Sequence, residues 1–389
     1  MTVEMIAVKI VFWSTLGLIV YAYVGYPVLT LLLSLVWHRA VRRDAAHEPS
    51  VTLLIAAYNE EHDIARKLDN ARSLDYPAAK FEILVASDGS TDATDTIVTE
   101  YGKNHPQVRL VRVEGRVGKT ETQNQAVRAA TGEIVVFSDA TTKYRKDAIR
   151  NLVRNYADPS VGAVSGKYLY ETVAGSAMGV ATILFWNYEN LIKSRQTGIR
   201  TITGCCGCIY SVRKACFVEL PAVIISDLVE PLKIIEHGHR VVFEPEAIAY
   251  ETTTEQVQDE FRMRVRVITR GMNGLRYMRR LFNPFKYPFV AFQLLSHKVL
   301  RWLVPVLMVV LFIANLILAR SGAIYTVAFV GQLVFYGSAL LGLILEKMGI
   351  RMRILATPLY FCVVNLASLV GLFNLLRGER KAVWEPMRN

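Results

Sequence analysis

Charge is scarce in this chain. Only 20% of its 389 residues are Asp, Glu, Lys or Arg, against 52% apolar. The 45 Lys and Arg outnumber the 34 Asp and Glu, for a formal net charge of +11. A nucleic-acid binder spreads such cations over a polar surface, so no nucleic-acid partner is expected of so apolar a chain. That much apolar surface would collapse, which excludes a disordered chain. The five cysteines make no disulfide framework, because Cys205, Cys206 and Cys208 crowd one glycine-containing stretch and no second ligand pair at zinc spacing accompanies them. No GxGxxG follows the first β-rich run, and Gly118-Lys119-Thr120 lacks the leading glycine of a Walker A loop, where Val113 stands. A dinucleotide-binding reading therefore loses its main support.

The apolar residues are gathered in blocks. Ile10–Val36 contains no charged residue and is long enough to cross a hydrocarbon core of roughly 30 Å. It is too long for a signal-peptide core and lacks a small-residue cleavage site, so an anchor that stays is expected, with an irregularity at Pro27. Three more uncharged blocks follow at Trp302–Ala319, Gly322–Leu345 and Ile354–Leu376. Arg39, Arg42 and Arg43 after the first block place the middle of the chain in the cytoplasm and the N-terminus outside. Lys347, Arg351 and Arg353 agree, whereas Arg377, Arg380, Lys381 and Arg388 fall on the wrong side. The stretch Asn283–Arg301, with aromatics and cations, reads as an interfacial amphipathic helix or one that dips deeper. The expected organisation is an anchor over 1–44, a cytoplasmic domain over 45–282, an interfacial helix over 283–301, three spans over 302–376 and a basic tail over 377–389.

Within the middle region, β-rich runs at Val51–Ala57, Phe81–Ser87, Val108–Val113 and Ile134–Ser138 alternate with helical patterns at Glu61–Leu74, Asp92–Tyr101 and Lys119–Ala130. Such alternation predicts a mostly parallel α/β sheet with helices on both faces, and ligands at the carboxyl ends of its strands. Three strands end in acids there: Tyr58-Asn59-Glu60, Asp88-Gly89-Ser90-Thr91-Asp92 and Asp139-Ala140-Thr141. Ser90 and Asp92 suit helix capping, but three acidic termini at one rim point to a ligand.

AYNEE at 57–61, SDGSTD at 87–92, GKTETQN at 118–124, SDAT at 138–141 and the stretch 226–251 stand in an order that resembles the membrane-embedded family 2 glycosyltransferases, the class of cellulose, chitin, hyaluronan and poly-N-acetylglucosamine synthases. The resemblance implies a GT-A fold transferring sugar with inversion from a nucleotide donor, a UDP-hexose or UDP-N-acetylhexosamine, in a bacterial plasma membrane. It places Ala57, Tyr58 and Glu60 on the nucleoside, Asp88 on the uracil imide, and Lys119 near the diphosphate. Asp139 matches the first acid of a DxD motif that meets Mg2+ or Mn2+. Thr141 replaces the second acid, a weaker ligand for a hard cation.

The same resemblance makes Asp227 the general base, with Ser226 replacing the preceding acid. Asp227 as a plain helix cap, and Glu230 as the acid instead, remain open. Gly204, Cys205, Cys206 and Gly207 match the loop that receives the acceptor, where small residues allow close approach. Arg262, Arg266 and Arg270 share one helical face by spacing. They stand where family members carry QxxRW, although neither its Gln nor its Trp is present. Arg266 and Arg270 are the expected diphosphate contacts, and a basic face toward anionic lipid is the competing reading. The expected acceptor is a glycan or a lipid at the bilayer, with an accessory export subunit undecided. The alternatives are transfer of one sugar to a polyprenyl phosphate or lipid, and an inactive transport or scaffold protein.

Overall fold

A computed structural model describes residues 3–171, 177–252, 257–350 and 352–379. Arg351, Arg380, Lys381 and Arg388, which entered the topology argument, lie outside the described residues. In chain order the elements are helix α1 (Val3–Val36), strand β1 (Val51–Ala57), α2 (Ile64–Arg72), β2 (Phe81–Ser87), α3 (Thr94–Asn104), β3 (Val108–Arg112), α4 (Lys119–Ala129), β4 (Ile134–Asp139) and β5 (Lys143–Tyr144). There follow α5 (Ala148–Val153), β6 (Val161–Glu171), α6 (Ala177–Ile199), β7 (Ile209–Arg213), α7 (Ser226–Glu236), β8 (Arg240–Thr252) and α8 (Val257–Tyr277). The chain closes with α9 (Pro288–Leu318), α10 (Ala323–Lys347) and α11 (Arg353–Leu376).

The strands form one sheet in the order β3-β2-β1-β4-β7-β6-β8-β5. Its first four are parallel, β7 runs against both neighbours, and β6 and β8 are parallel. Alternation of side chains sorts the core onto two faces. Leu53, Ile55 and Val136 face α2 and α5 through Ile64, Leu68 and Leu152, while Leu54, Val135 and Phe137 face α4 and α7 through Val127, Val229 and Leu232. The second core continues through Leu275 and Met278 to Val290 and Leu294 at the start of α9. The α/β domain and the apolar helices therefore share a core.

Four helices are long and apolar enough to cross a membrane: α1, α9, α10 and α11. The irregularity expected at Pro27 takes the form of a π-helical turn at Tyr21–Gly25. A second π-turn, Leu294–Val299, lies inside α9, and Tyr21 and Ser296 join the two turns by a 2.9 Å hydroxyl contact. The boundary expected after Arg301 is absent, since Pro288 starts a helix that runs unbroken to Leu318. Proline suits the first helical turn, and no breaker follows until the π-turn has loosened the ladder. Further along, α8 passes close to its neighbours at two glycines. A Cβ on Gly274 would meet Val229 at 2.7 Å, and one on Gly271 would meet the Trp302 ring at 3.0 Å.

Candidate active site

Parallel register brings the expected rim together. Ala57 pairs with Ser87, and Ala56 with Asp139, so the residues after β1, β2 and β4 emerge side by side. The first two loops are stitched to each other. Asn59 stands at φ 55° and its Oδ1 accepts from the Thr91 N–H at 2.7 Å. The Glu60 N–H donates to Thr94 at 2.7 Å and the Glu61 N–H to Asp92 at 3.2 Å. Spent on this turn, residues 61–63 stay out of the helix expected from Glu61, which begins at Ile64. Neither Asp92 nor Ser90 caps α3, whose cap is Ala93: Asp92, one position earlier, accepts from the Thr94 N–H at 3.0 Å, and Ser90 bonds the hydroxyl of Ser87.

Asp88 is almost fully enclosed. Its carboxylate accepts from the Val117 N–H at 2.8 Å, the Gly118 N–H at 3.0 Å and the Thr122 hydroxyl at 3.0 Å. It thus holds the 115–118 turn, with the Arg116 guanidinium 4.0 Å above the Tyr58 ring. Gly89 takes φ +68°, and a Cβ there would stand 2.4 Å from the Gly115 carbonyl. The turn delivers Lys119 at the start of α4 into an ion pair with Asp139. Burial works against the Lys119 charge, but Asp139 holds its pKa above the usual range.

Beneath this pair is a feature absent from the sequence reading. Lys67 is buried and donates to Ser138 Oγ at 2.7 Å and to the Thr142 carbonyl, fixing the end of β4. Burial pushes its pKa down to about 7, with Asp139 opposing. Pairing of β5 with β8 sets Tyr144 beside Ala249 and Lys143 beside Tyr250. The next residue, Glu251, thereby reaches Asp139, Lys119 and Cys208, and burial, aided by Asp139, raises its pKa to about 7. Only the sheet pairing could reveal it. Thr141 is exposed and lines a separate cleft with Arg66, Asp69 and Asn70.

Asp227 occupies the first turn of α7, and its carbonyl accepts from the Cys205 N–H at 2.9 Å. Its Oδ1 is buried without a hydrogen-bond partner. Burial pushes the Asp227 carboxyl up; Lys119 and Arg270 oppose this and Asp139 adds to it. Glu230, the competing acid, turns elsewhere: it accepts from the Val218 N–H at 2.9 Å and is 1% exposed. Burial raises its pKa to about 8 from 4.5. A carboxyl raised on folding favours the fold below about pH 4.5 and loses that contribution as pH climbs through 8. The Glu230→Gln protein is therefore expected to match wild type in thermal unfolding at pH 4 and to exceed it by a few degrees at pH 8.5. Equal melting temperatures at pH 8.5 would contradict this.

Of the four residues expected at the acceptor, Gly204 and Cys205 line the main cavity with Asp227. Gly207 faces the Asp227 carboxylate, since a Cβ there would stand 2.5 Å from Asp227 Oδ2. Cys206 does not join them; it is buried in the core with its sulfur 3.4 Å from that of Cys208. Among the described residues no group of three His, Cys, Asp or Glu could hold a metal ion. The Gly207→Ala variant is expected to lose at least tenfold in turnover through displacement of the carboxylate, with nucleotide affinity kept. Steady-state rates beside nucleotide titration read both. On α8, the expected basic face divides. Arg270 donates to the Ile224 carbonyl at 3.1 Å and feels Asp227, and Arg266 feels Asp139 and Arg270, but Arg262 is exposed. Burial lowers the Arg266 pKa to about 10.

The cavity below Asp227 has a volume of about 460 Å³ and reaches α1, α6, α9 and α11. On its floor Arg301 pairs with Glu189, His297 approaches the same carboxylate at 3.4 Å, and Tyr26 stacks on His297. These residues were missed because α6, α9 and α1 are remote in sequence and meet only in the fold. A charge such as Glu189 inside the apolar stretch 177–192 was the available signal.

Asp139 at the end of β4 pairs with Lys119, Asp88 after β2 holds the turn that delivers this lysine, and Asp227 on α7 lies within electrostatic reach of Lys119 and Asp139, above a cavity among apolar helices; a mostly parallel sheet with such a rim is that of a GT-A glycosyltransferase. Residues 52–219 match the family described as glycosyl transferase family 2, and the chain carries that domain. A poly-beta-1,6-N-acetyl-D-glucosamine synthase of Staphylococcus epidermidis is 24% identical over 74% of this chain and 69% of its own length. Its counterpart from Staphylococcus aureus strain COL is 27% identical over 61% of this chain, and the match spans 57% of that protein. A solved mannosyltransferase of Pyrobaculum calidifontis, in complex with GDP-mannose and Mn2+, superposes with a TM-score of 0.72 at 22% identity. That likeness covers 95% of this chain and all of the other, and it establishes the fold.

Proposed function

We propose that the protein is an inverting glycosyltransferase that moves a sugar from a nucleotide donor to a glycan or lipid acceptor at a membrane. The observation that carries this reading is the unpartnered Asp227 Oδ1. Asp227 lies within electrostatic reach of Lys119 and Arg270 and lines the cavity with Gly204 and Cys205, while Arg266 stands beside Arg270 and Asp139. In the reaction, Asp227 takes the proton of an acceptor hydroxyl whose oxygen bonds the anomeric carbon. The bond from that carbon to the diphosphate breaks on the opposite face, and its electron pair leaves with the nucleoside diphosphate. Lys119, Arg266 and Arg270 meet the charge that develops there. The stacked Tyr58 and Arg116, with Ala57 and Glu60, form the nucleoside end; Asp88 acts by holding the 115–118 turn and is the base contact if the turn opens.

Asp139 offers a hard carboxylate oxygen, which suits Mg2+ or Mn2+ shared with a diphosphate better than a resident metal, while Thr141, expected as its second ligand, is exposed in a separate cleft. When bound, the cation supplies charge neutralisation on the diphosphate. The staphylococcal synthases support a UDP-N-acetylhexosamine or UDP-hexose as donor. The cations after α1 support a cytoplasmic domain with the N-terminus outside, in a bacterial plasma membrane. A hydrolysis and thermal-shift screen of UDP-, GDP- and dTDP-sugars, with and without Mg2+ or Mn2+, tests the reading. Stabilisation by a UDP-sugar with metal is expected; failure of every nucleotide to bind would sink it.

A further inference from the structure

The acceptor cavity carries more positive charge than its own acids balance. Its described acidic lining residues are Asp227 and Glu189, and Glu189 is taken by Arg301 and His297. Arg264 is matched by Glu260, outside the lining, at 2.7 Å and by the hydroxyl of the lining residue Tyr360 at 2.7 Å. Two ammonium groups remain. Lys193 is 7% exposed, with its Nζ 5.7 Å from the Trp186 ring and 5.9 Å from that of Phe243. Lys298, half-buried, comes from the π-turn of α9 and lies within electrostatic reach of Glu189 first, then of Lys193, Arg301 and Asp227. Among the described residues neither lysine has a carboxylate within ion-pairing distance. With Glu189 already paired to Arg301 and His297, the two ammonium groups share no carboxylate of their own, an arrangement suited to an anion that arrives with the ligand.

The rest of the cavity is apolar and opens sideways. Ala181, Leu184 and Phe185 of α6 face Phe361 and Val364 of α11, which is a membrane-length helix. Leu184 and Val267 line the cavity yet are 56% and 40% exposed, which puts its mouth between α6, α8 and α11. A chain leaving there enters the hydrocarbon layer.

We propose that the acceptor is an anionic amphiphile, with a sugar hydroxyl at Asp227, a phosphate held by Lys193 and Lys298, and a hydrocarbon chain leaving between α6 and α11. The proposal rests on the reading of Asp227 as the base. A hydroxyl nucleophile needs that base, whereas a phosphate oxygen is already ionised, so the phosphate anchors and the sugar reacts. The hydroxyl proton passes to Asp227 and the new bond joins the acceptor oxygen to the transferred sugar.

The test uses the full chain in phosphatidylcholine nanodiscs, with binding followed by the fluorescence of Trp186 and Trp302, which line the cavity. Dodecyl phosphate, dodecyl maltoside and inorganic phosphate are titrated in turn, and UDP with Mn2+ separately. Dodecyl phosphate is expected to bind at least about tenfold tighter than either other probe, and Lys193→Gln and Lys298→Gln each to weaken it on the order of tenfold. Lys298→Arg is expected to keep most of the affinity. Equal binding of dodecyl maltoside overturns the phosphate anchor, and equal binding of inorganic phosphate overturns the lipid chain. Both comparisons are made on wild type, so they stand if a variant fails to fold. Normal UDP binding without the dodecyl phosphate preference overturns this proposal alone; loss of UDP binding in wild type overturns the donor reading instead.

Discussion

Replacing Asp227 with asparagine is expected to lower transfer by about 10²–10⁴-fold while UDP affinity stays near that of wild type. Asparagine keeps the shape of the side chain against Gly207 and the backbone bond to Cys205, so the loss isolates the proton-accepting oxygen. Product formation from labelled UDP-sugar, beside UDP titration, separates the two effects. The pH profile carries a further signature. Burial holds the Asp227 carboxyl above the ordinary 3.8, so the acid limb of kcat/KM falls as pH drops through a pKa higher than that of a free aspartate. Full activity in the asparagine protein would remove the proposed mechanism; a helix-cap role is already closed to Asp227, since the cap of α7 is Ile225.

The second large effect is expected at Asp139. With asparagine there, the hard carboxylate offered to a divalent cation is gone, and Lys119 loses the partner that now holds it. Turnover is expected to drop by about 10²–10³-fold, and the dependence on added Mn2+ to become shallow and to need far higher concentrations. A metal titration of donor hydrolysis in both proteins reads this directly. Saturation of the variant at the wild-type Mn2+ concentration would show that Asp139 holds no cation. The Glu251 carboxyl, which titrates near pH 7 beside Asp139, is the group expected to make that metal dependence steeper as pH rises.

The rim at the strand ends was largely legible in the sequence, because it is local. A strand followed by its acid, repeated at Ala57, Ser87 and Asp139, is written in consecutive residues, and β1 and β2 have the bounds that the apolar runs predict. Lys119 was legible for the same reason, standing at the first position of its helix. Asp88 was placed correctly at the rim, but its engagement by Val117, Gly118 and Thr122 depends on a turn that crosses over from another strand. Cys206 was misleading. In sequence it is one of four small residues, but alternate residues of the loop face opposite ways, and its side chain enters the core while Cys205 lines the cavity.

By itself the sequence determined the four apolar helices, the parallel half of the sheet and the acids at its rim. Each rests on length, periodicity or adjacency along the chain. The tertiary structure decided what the site faces. Glu251 reaches Asp139 through strand pairing, and Glu230 turns away from the cavity that Asp227 enters. Glu189, Lys193, His297 and Lys298 become one cavity wall only because α6 packs against α1 and α9 where two π-turns meet. Such contacts join segments more than a hundred residues apart, and no pattern local to either segment encodes the charge of its distant neighbour.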